Sequence, residues 1–179
     1  MTELDLKKNY FELFGLPVQF ELAEPELSAR YRDLQRACHP DRMANADDRQ
    51  QRRAVQAAAH VNEAYRVLRS PMDRAVYLLE LAGQTGEAPD KLAPEFLMQQ
   101  IQLREELEAI PGTDNPRECL LELSTRTEQE IRRYYDFFQN QMGQRQYAVA
   151  GDTVRKLQFL HKLRDEIDEL QFDLEEELD

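Results

Sequence analysis

A proline between two helical patterns constrains the fold of this chain more than any other single feature. Before Pro40, apolar residues recur at steps of three and four from Leu27 to Cys38, as they do on one face of an α-helix. After it, the same period runs to about Arg69. Because a proline disfavours the helical conformation in the preceding residue and has no N–H to donate, the first helix must end near His39. The sequence therefore predicts two amphipathic helices joined by a loop that begins at His39-Pro40-Asp41.

The rest of the chain also has helical periodicity. A short aromatic segment follows Asn9, which is a suitable N-cap residue, and further helical patterns cover residues 71–81, 94–110, 116–142 and 147–177. No run alternates apolar and polar residues between hairpin turns, so we expect an all-α protein. In the last pattern, five apolar residues alternate steps of three and four, as in the seam of a helical bundle. They are Leu160, Leu163, Ile167, Leu170 and Leu174. Short connections between the last three patterns predict an up-down-up bundle.

The charged residues are distributed unevenly along the chain. Lysine and arginine number 23 against 35 aspartate and glutamate, a net charge of -12. Residues 1–76 hold 12 basic and 12 acidic side chains, whereas residues 77–179 hold 11 and 23. The two parts are therefore expected to carry functional surfaces of different charge. The acidic excess makes nucleic acid and anionic membranes unfavourable partners, and we expect neither.

Several features argue against an enzyme or a secreted protein. The chain has no Gly-rich phosphate loop, no nucleophile elbow, no His-Glu-x-x-His and no metal-ligand spacing, so we expect no catalytic activity, metal or cofactor. Its start lacks the features of a secretory signal, and no apolar run approaches the roughly 20 residues that span a bilayer. Cys38 and Cys119 show no repeating spacing. We expect a cytoplasmic protein without a disulfide bond.

The helix predicted after Pro94 has more apolar residues than one core face requires. At about 100° per residue, one set points in a single direction and a second lies roughly 100–200° away. The first face fits a bundle core. The second is either covered by another part of the chain or exposed as a binding patch, because large exposed apolar patches usually mark interaction sites. Phe159, at the edge of the last helix's seam, would extend such a patch. The first set is Phe96, Leu103, Leu107 and Ile110, and the second is Leu97, Met98 and Ile101, with Glu105 and Glu108 beside it.

The order of elements in the first part resembles a J domain, the module by which co-chaperones act on DnaK-type ATPase chaperones. The resemblance covers residues 8–75: an aromatic helix, a basic-faced helix, the His-Pro-Asp turn and a longer helix with Asn62-Glu63-Ala64-Tyr65. Taken alone, the tripeptide could merely end a helix. The resemblance implies that the turn and nearby basic residues engage the chaperone and stimulate its ATP hydrolysis. These residues are His39, Pro40, Asp41, Arg30, Arg32, Arg36 and Arg42, the last standing where lysine is commoner.

A second resemblance covers the whole chain. Phe96-Leu97-Met98, the segments 103–107 and 152–160, and Arg74-Ala75-Val76-Tyr77-Leu78-Leu79 resemble the HscB family of iron–sulfur cluster co-chaperones. Proteins of that family join an N-terminal J domain to a C-terminal three-helix bundle in an L shape. Their partners are the chaperone HscA and the scaffold protein IscU. The implied domains are a J domain at 1–75, a connecting helix and linker at 76–93, and a scaffold-binding bundle at 94–179.

The same resemblance assigns residues to the scaffold contact and leaves alternatives open. It implies that Leu97, Met98, Ile101, Glu105 and Phe159 contact the scaffold, which agrees with the second apolar face. Gln102 and Ala109 stand where the family often has acidic contacts, so the polar rim of the site is expected to be weaker. One alternative function is a general J-domain co-chaperone for other clients. Another is a helical scaffold that dimerises through the 160–174 seam.

Overall fold

The computed structural model describes residues 5, 7–38, 48–84 and 92–176, and every regular element within them is helical. The all-α expectation is confirmed. The His-Pro-Asp turn and Arg42 lie outside the described residues. The helices are α1 (Tyr10–Phe14), α2 (Glu24–Cys38), α3 (Asp48–Arg69), α4 (Pro71–Leu81), α5 (Pro94–Ala109), α6 (Pro116–Gly143) and α7 (Tyr147–Glu176), with a 3₁₀ turn at Ile110–Gly112.

The chain divides into two compact units, Met1–Leu78 and Leu79–Asp179, and the division falls within α4. Among the described residues, no helix has both the length and the apolar character that a membrane crossing requires.

The first unit has its core between α1, α2 and α3. Phe11, Leu27, Val61 and Leu68 are at most 1% exposed, and they bring the apolar faces of all three helices together. The predicted cap of α1 is confirmed: the Asn9 side chain accepts the backbone N–H of Glu12 at 2.9 Å, and the Glu12 carboxylate accepts that of Asn9. Such a reciprocal pair satisfies two N–H groups that the first helical turn leaves free.

A buried arginine ties the loop before α2 to the end of α3. Arg74, on α4, is 8% exposed, and its guanidinium donates to the backbone carbonyls of Phe20, Leu68 and Arg69. The guanidinium carbon also lies 5.5 Å from the Phe20 ring centroid. A buried guanidinium needs several acceptors, and carbonyls at a helix C-terminus provide them because they have no partner within the helix. Arg74 therefore fixes the path of the chain into α2.

The second unit is the predicted three-helix bundle. Leu107 and Ile110 pack against α6 and α7 in a buried cluster, and Leu160 is 2% exposed. The seam predicted on α7 is confirmed as an internal face: Leu163 and Ile167 are buried in this cluster, and Leu170 and Leu174 pack against it. Proline occupies the first turn of both α5 and α6, where its missing N–H costs no helical hydrogen bond.

Candidate functional site

In the first unit, polar and aromatic contacts hold α2 against α3. The rings of Tyr31 on α2 and Tyr65 on α3 are stacked, with centroids 4.0 Å apart. The Tyr31 hydroxyl donates to the Asn62 side chain at 3.0 Å and accepts from Gln35 at 2.6 Å. Since α2 ends at Cys38 and α3 begins at Asp48, the His-Pro-Asp turn belongs to the connection between two helices whose packing is fixed by these contacts.

The arginines predicted on α2 are all exposed, but they do not share one face. Arg32 and Arg36 are four residues apart and lie within about 40° of each other, whereas Arg30 lies about 160° from Arg32 around the helix. Arg30 pairs with Glu26 at 3.5 Å, and Arg36 approaches Asp33 at 3.8 Å. Arg32 makes no ion pair with a described residue. Arg32 and Arg36 therefore form the basic face of α2.

Two further basic residues extend the positive charge beyond α2. Arg49 and Arg52 are exposed in the first two turns of α3, close in sequence to the His-Pro-Asp turn. No motif of the sequence assigns a role to these two residues, although arginines cluster visibly at residues 49–53. Positive charge at a helix N-terminus is unfavourable for the helix itself, so its presence there is not explained by helix stability.

In the second unit, α5 has the two faces that its periodicity predicts. Phe96, Leu107 and Ile110 are buried and Leu103 packs against the core. On the other side, Leu97, Met98 and Ile101 are 39%, 59% and 54% exposed. We call these three residues the apolar stripe. Of the two alternatives for this face, the structure shows the exposed one.

Phe159 of α7 is connected to the apolar stripe through Phe96, the residue directly before Leu97 on α5. The half-buried Phe159 ring meets the buried Phe96 ring edge to face, with centroids 6.1 Å apart. The Phe96 ring also meets Tyr134 of α6 at 6.3 Å. Phe96 is thus the point at which all three helices of the bundle converge, and Leu97 and Phe159 flank it on α5 and α7.

The charged residues of α5 differ in how they are satisfied. Arg104 pairs with Glu166 of α7 at 3.2 Å, and Glu106 pairs with Arg126 of α6, so these two ion pairs connect α5 to its neighbours. Glu105 is exposed, and no described residue pairs with its carboxylate. Gln102 and Ala109 are exposed as well. Of the positions Gln102, Glu105 and Ala109, Glu105 alone carries a charge, and Glu108, about one turn further along α5, is exposed as well.

Titratable side chains in the described residues do not converge on a site for chemistry. No group of three or more His, Cys, Asp or Glu residues there is arranged to hold a metal ion. His161 Nε2 lies 2.7 Å from the Tyr135 hydroxyl, and burial, followed by the nearby Arg164, lowers the pKa of this histidine. Burial likewise raises the pKa of the Cys38 thiol, which favours an unreactive protonated form. Burial within the packed helices accounts for the shifted pKa of both His161 and Cys38.

Two family profiles match the chain. One, described as the DnaJ domain, matches residues 4–77, and the other, described as the HSCB C-terminal oligomerisation domain, matches residues 92–168. Together they assign the first unit to a J domain and the bundle to the HscB C-terminal domain.

Curated relatives and solved structures agree with these matches. Co-chaperone protein HscB homologs of Vibrio cholerae and Vibrio atlanticus are 42% and 43% identical, over 91% and 89% of this chain and 96% and 95% of their own. The structure of chaperone HscB from Vibrio cholerae superposes with a TM-score of 0.87 at 42% identity, covering 93% of this chain and 99% of that one. Human co-chaperone HscB, at 22% identity, shares the fold, with a TM-score of 0.84 over 93% of this chain and 84% of its own. The chain therefore belongs to the HscB family of J-domain co-chaperones of iron–sulfur cluster assembly.

Proposed function

We propose that this protein binds an IscU-type iron–sulfur scaffold protein through its bundle, delivers it to an HscA-type chaperone in the cytoplasm, and stimulates that chaperone's ATPase through its J domain. The observation that carries the proposal is the apolar stripe. A three-helix bundle of this kind has no structural need for Leu97, Met98 and Ile101 on the outside of α5, because the opposite face of the same helix already provides its core. Exposed apolar groups of this size are typical of a surface that a partner covers.

The chaperone contact is proposed at the basic face of α2 together with the His-Pro-Asp turn. Arg32 and Arg36 supply positive charge that steers an acidic partner towards the turn. Arg30, on another side of α2 and paired with Glu26, has a smaller share in this contact. Arg42 adds charge directly after the turn, and His39, Pro40 and Asp41 are the residues proposed to act on the ATPase.

The scaffold contact is proposed to have an apolar centre with Glu105 at its rim. The apolar stripe and Phe159 form the centre, and Glu105 supplies the carboxylate. Because Gln102 and Ala109 add no charge, the affinity is expected to depend on the apolar anchors more than on ion pairs.

The alternative of a scaffold that dimerises through residues 160–174 is disfavoured by the buried state of that seam. Leu160, Leu163 and Ile167 are at most 2% exposed inside a single copy of the bundle, so they are not available to a second copy unless the bundle opens.

The proposal is tested with three purified proteins: this chain, an IscU-type scaffold and an HscA-type ATPase. Calorimetry measures the complex of chain and scaffold, and steady-state ATP turnover measures stimulation. We expect a one-to-one complex, stimulation by the chain alone, and greater stimulation when chain and scaffold are both present than the separate effects add up to. Stimulation of the ATPase without any binding of the scaffold would favour the general co-chaperone for other clients.

A further inference from the structure

Lys156 of α7 lies where the three helices of the bundle converge. Its ammonium nitrogen is 5.6 Å from the centroid of the Phe96 ring on α5 and 5.7 Å from that of the Tyr134 ring on α6. Both distances are within the range of about 6 Å over which a cation is attracted to the face of an aromatic ring. The lysine stem is half-buried, so the charge is held over the rings and does not extend freely into solvent.

The charge of Lys156 has no carboxylate partner among the described residues. Neighbouring cations differ in this respect. Arg133, which lies over the Tyr134 and Phe137 rings, pairs with Glu130 at 2.7 Å, and Arg155 pairs with Asp152. Residues 77–179 hold 23 acidic side chains against 11 basic ones, so carboxylates are abundant in this part of the chain. With so many carboxylates nearby in the sequence, composition alone would lead one to expect an ion pair for Lys156, and the described residues provide none.

Lys156 is also placed beside the proposed scaffold contact. Phe159 follows it by three residues and lies on the same side of α7, within about 60° around the helix. Phe159 and Lys156 both contact Phe96, and Leu97 of the apolar stripe is the next residue along α5. A partner that covers the apolar stripe and Phe159 would therefore take Lys156 further out of water. Removing a charge from water without a counter-charge is costly, so such a partner needs to supply one.

We propose that Lys156 binds a carboxylate of the scaffold protein and thereby determines which surface of that protein the bundle accepts. This inference rests on the scaffold binding proposed above and adds the chemistry of the partner. Glu105 lies nine residues beyond Phe96, about 13 Å further along α5, and offers the opposite charge. The matching partner surface thus has apolar residues in its centre, an acidic side chain facing the start of α5, and a basic side chain facing Glu105.

The test compares Lys156 variants with a matched control on the same bundle. Arg132 of α6 is exposed and lies about 160° around α6 from Tyr134, so Arg132→Glu makes the same change of charge away from the site. Calorimetric titration of the full chain with an IscU-type scaffold is carried out at low and high salt. We expect Lys156→Glu to weaken binding at least about tenfold, Lys156→Arg to retain most of it, and Arg132→Glu to change it less than about twofold. Lys156→Gln should also reduce the dependence of the affinity on salt.

A purely structural role for Lys156 predicts a different pattern. The variant Lys156→Met keeps the apolar stem against Phe96 and removes only the charge, so thermal melting should be nearly unchanged while scaffold binding weakens. Loss of binding that follows a loss of melting temperature, with an unaltered salt dependence, would overturn the inference. So would a Lys156→Glu variant that binds as tightly as the wild type. A wild-type chain that does not bind the scaffold at all would instead refute the function proposed above.

Discussion

Phe96 and Leu97 are neighbours in the chain, yet Phe96 is 5% exposed and Leu97 is 39% exposed. The first belongs to the bundle core and the second to the apolar stripe. Adjacent residues of α5, about 100° apart around the helix, therefore belong to the core and to the exposed surface. Substitution of Phe96 should lower the stability of the bundle, whereas substitution of Leu97 should weaken binding and leave stability nearly unchanged.

We expect replacement of Leu97, Met98 and Ile101 together by alanine to abolish scaffold binding without unfolding the bundle. Each anchor contributes on the order of 1–2 kcal/mol to such an interface, so the triple variant should bind roughly 10²- to 10⁴-fold more weakly. Exposed positions away from packing change stability by about 0.5 kcal/mol or less each. Calorimetry and circular dichroism measure the two effects separately.

The matched control for the triple variant is Phe96→Ala. It removes a buried ring that contacts both other helices, and it should destabilise the bundle by about 3 kcal/mol. If the triple variant also melted many degrees lower, the apolar stripe would be part of the core, and the scaffold site would have to be sought elsewhere.

We expect His39→Gln or Asp41→Asn to remove ATPase stimulation while leaving scaffold binding intact. The substituted residues lie in the chain segment between α2 and α3, and the bundle that is proposed to bind the scaffold is a separate compact unit. Steady-state ATP turnover with and without each variant gives the first result, and calorimetry gives the second. Normal stimulation by both variants would refute the co-chaperone role proposed for the turn.

Reversing the charge of Arg32 and Arg36 together should slow association with the chaperone roughly tenfold at low salt, because electrostatic steering acts mainly on the association rate. Arg30→Glu should have a smaller effect, since this residue lies about 160° from Arg32 around α2. Stopped-flow association at several salt concentrations separates the variants. If Arg30→Glu slowed association as much as the double reversal does, docking would not use one face of the helix.

His161 should make the bundle less stable in mild acid. Burial and Arg164 lower its pKa in the folded protein, and Asp165 opposes them only in part. The unfolded chain, with an ordinary histidine pKa of about 6.5, then binds a proton more readily than the folded chain does. The stabilising contribution of the neutral ring is therefore complete above pH 6.5 or so and is lost as the pH falls through the folded-state pKa.

Thermal melting between pH 5 and pH 7.5 tests this expectation, with His161→Gln as the comparison. The wild type should lose stability on acidification more steeply than the variant, because the variant cannot take up this proton. Parallel pH profiles for the two proteins would contradict the assignment to His161.

Helical periodicity predicted most of this fold and the position of the apolar stripe, because it reports directly on the faces of each helix. The spacing of Met98 and Leu107 alone places them on opposite faces of α5, and the cap at Asn9 is visible in the local sequence. Periodicity carries no information on contacts between distant helices. For that reason the burial of Arg74 and the placement of Lys156 over Phe96 and Tyr134 were not foreseen.

Arg74 and Tyr77 also determine when the first unit can finish folding during synthesis. The Tyr77 hydroxyl accepts the backbone N–H of Tyr10 at 3.0 Å, and the two rings stack with centroids 4.4 Å apart. Arg74 reaches back to the carbonyl of Phe20, 54 residues earlier in the chain. Neither contact can form before the ribosome has released the first two turns of α4. The contacts that join α4 to Tyr10 and Phe20 are therefore the last ones available to this unit during synthesis.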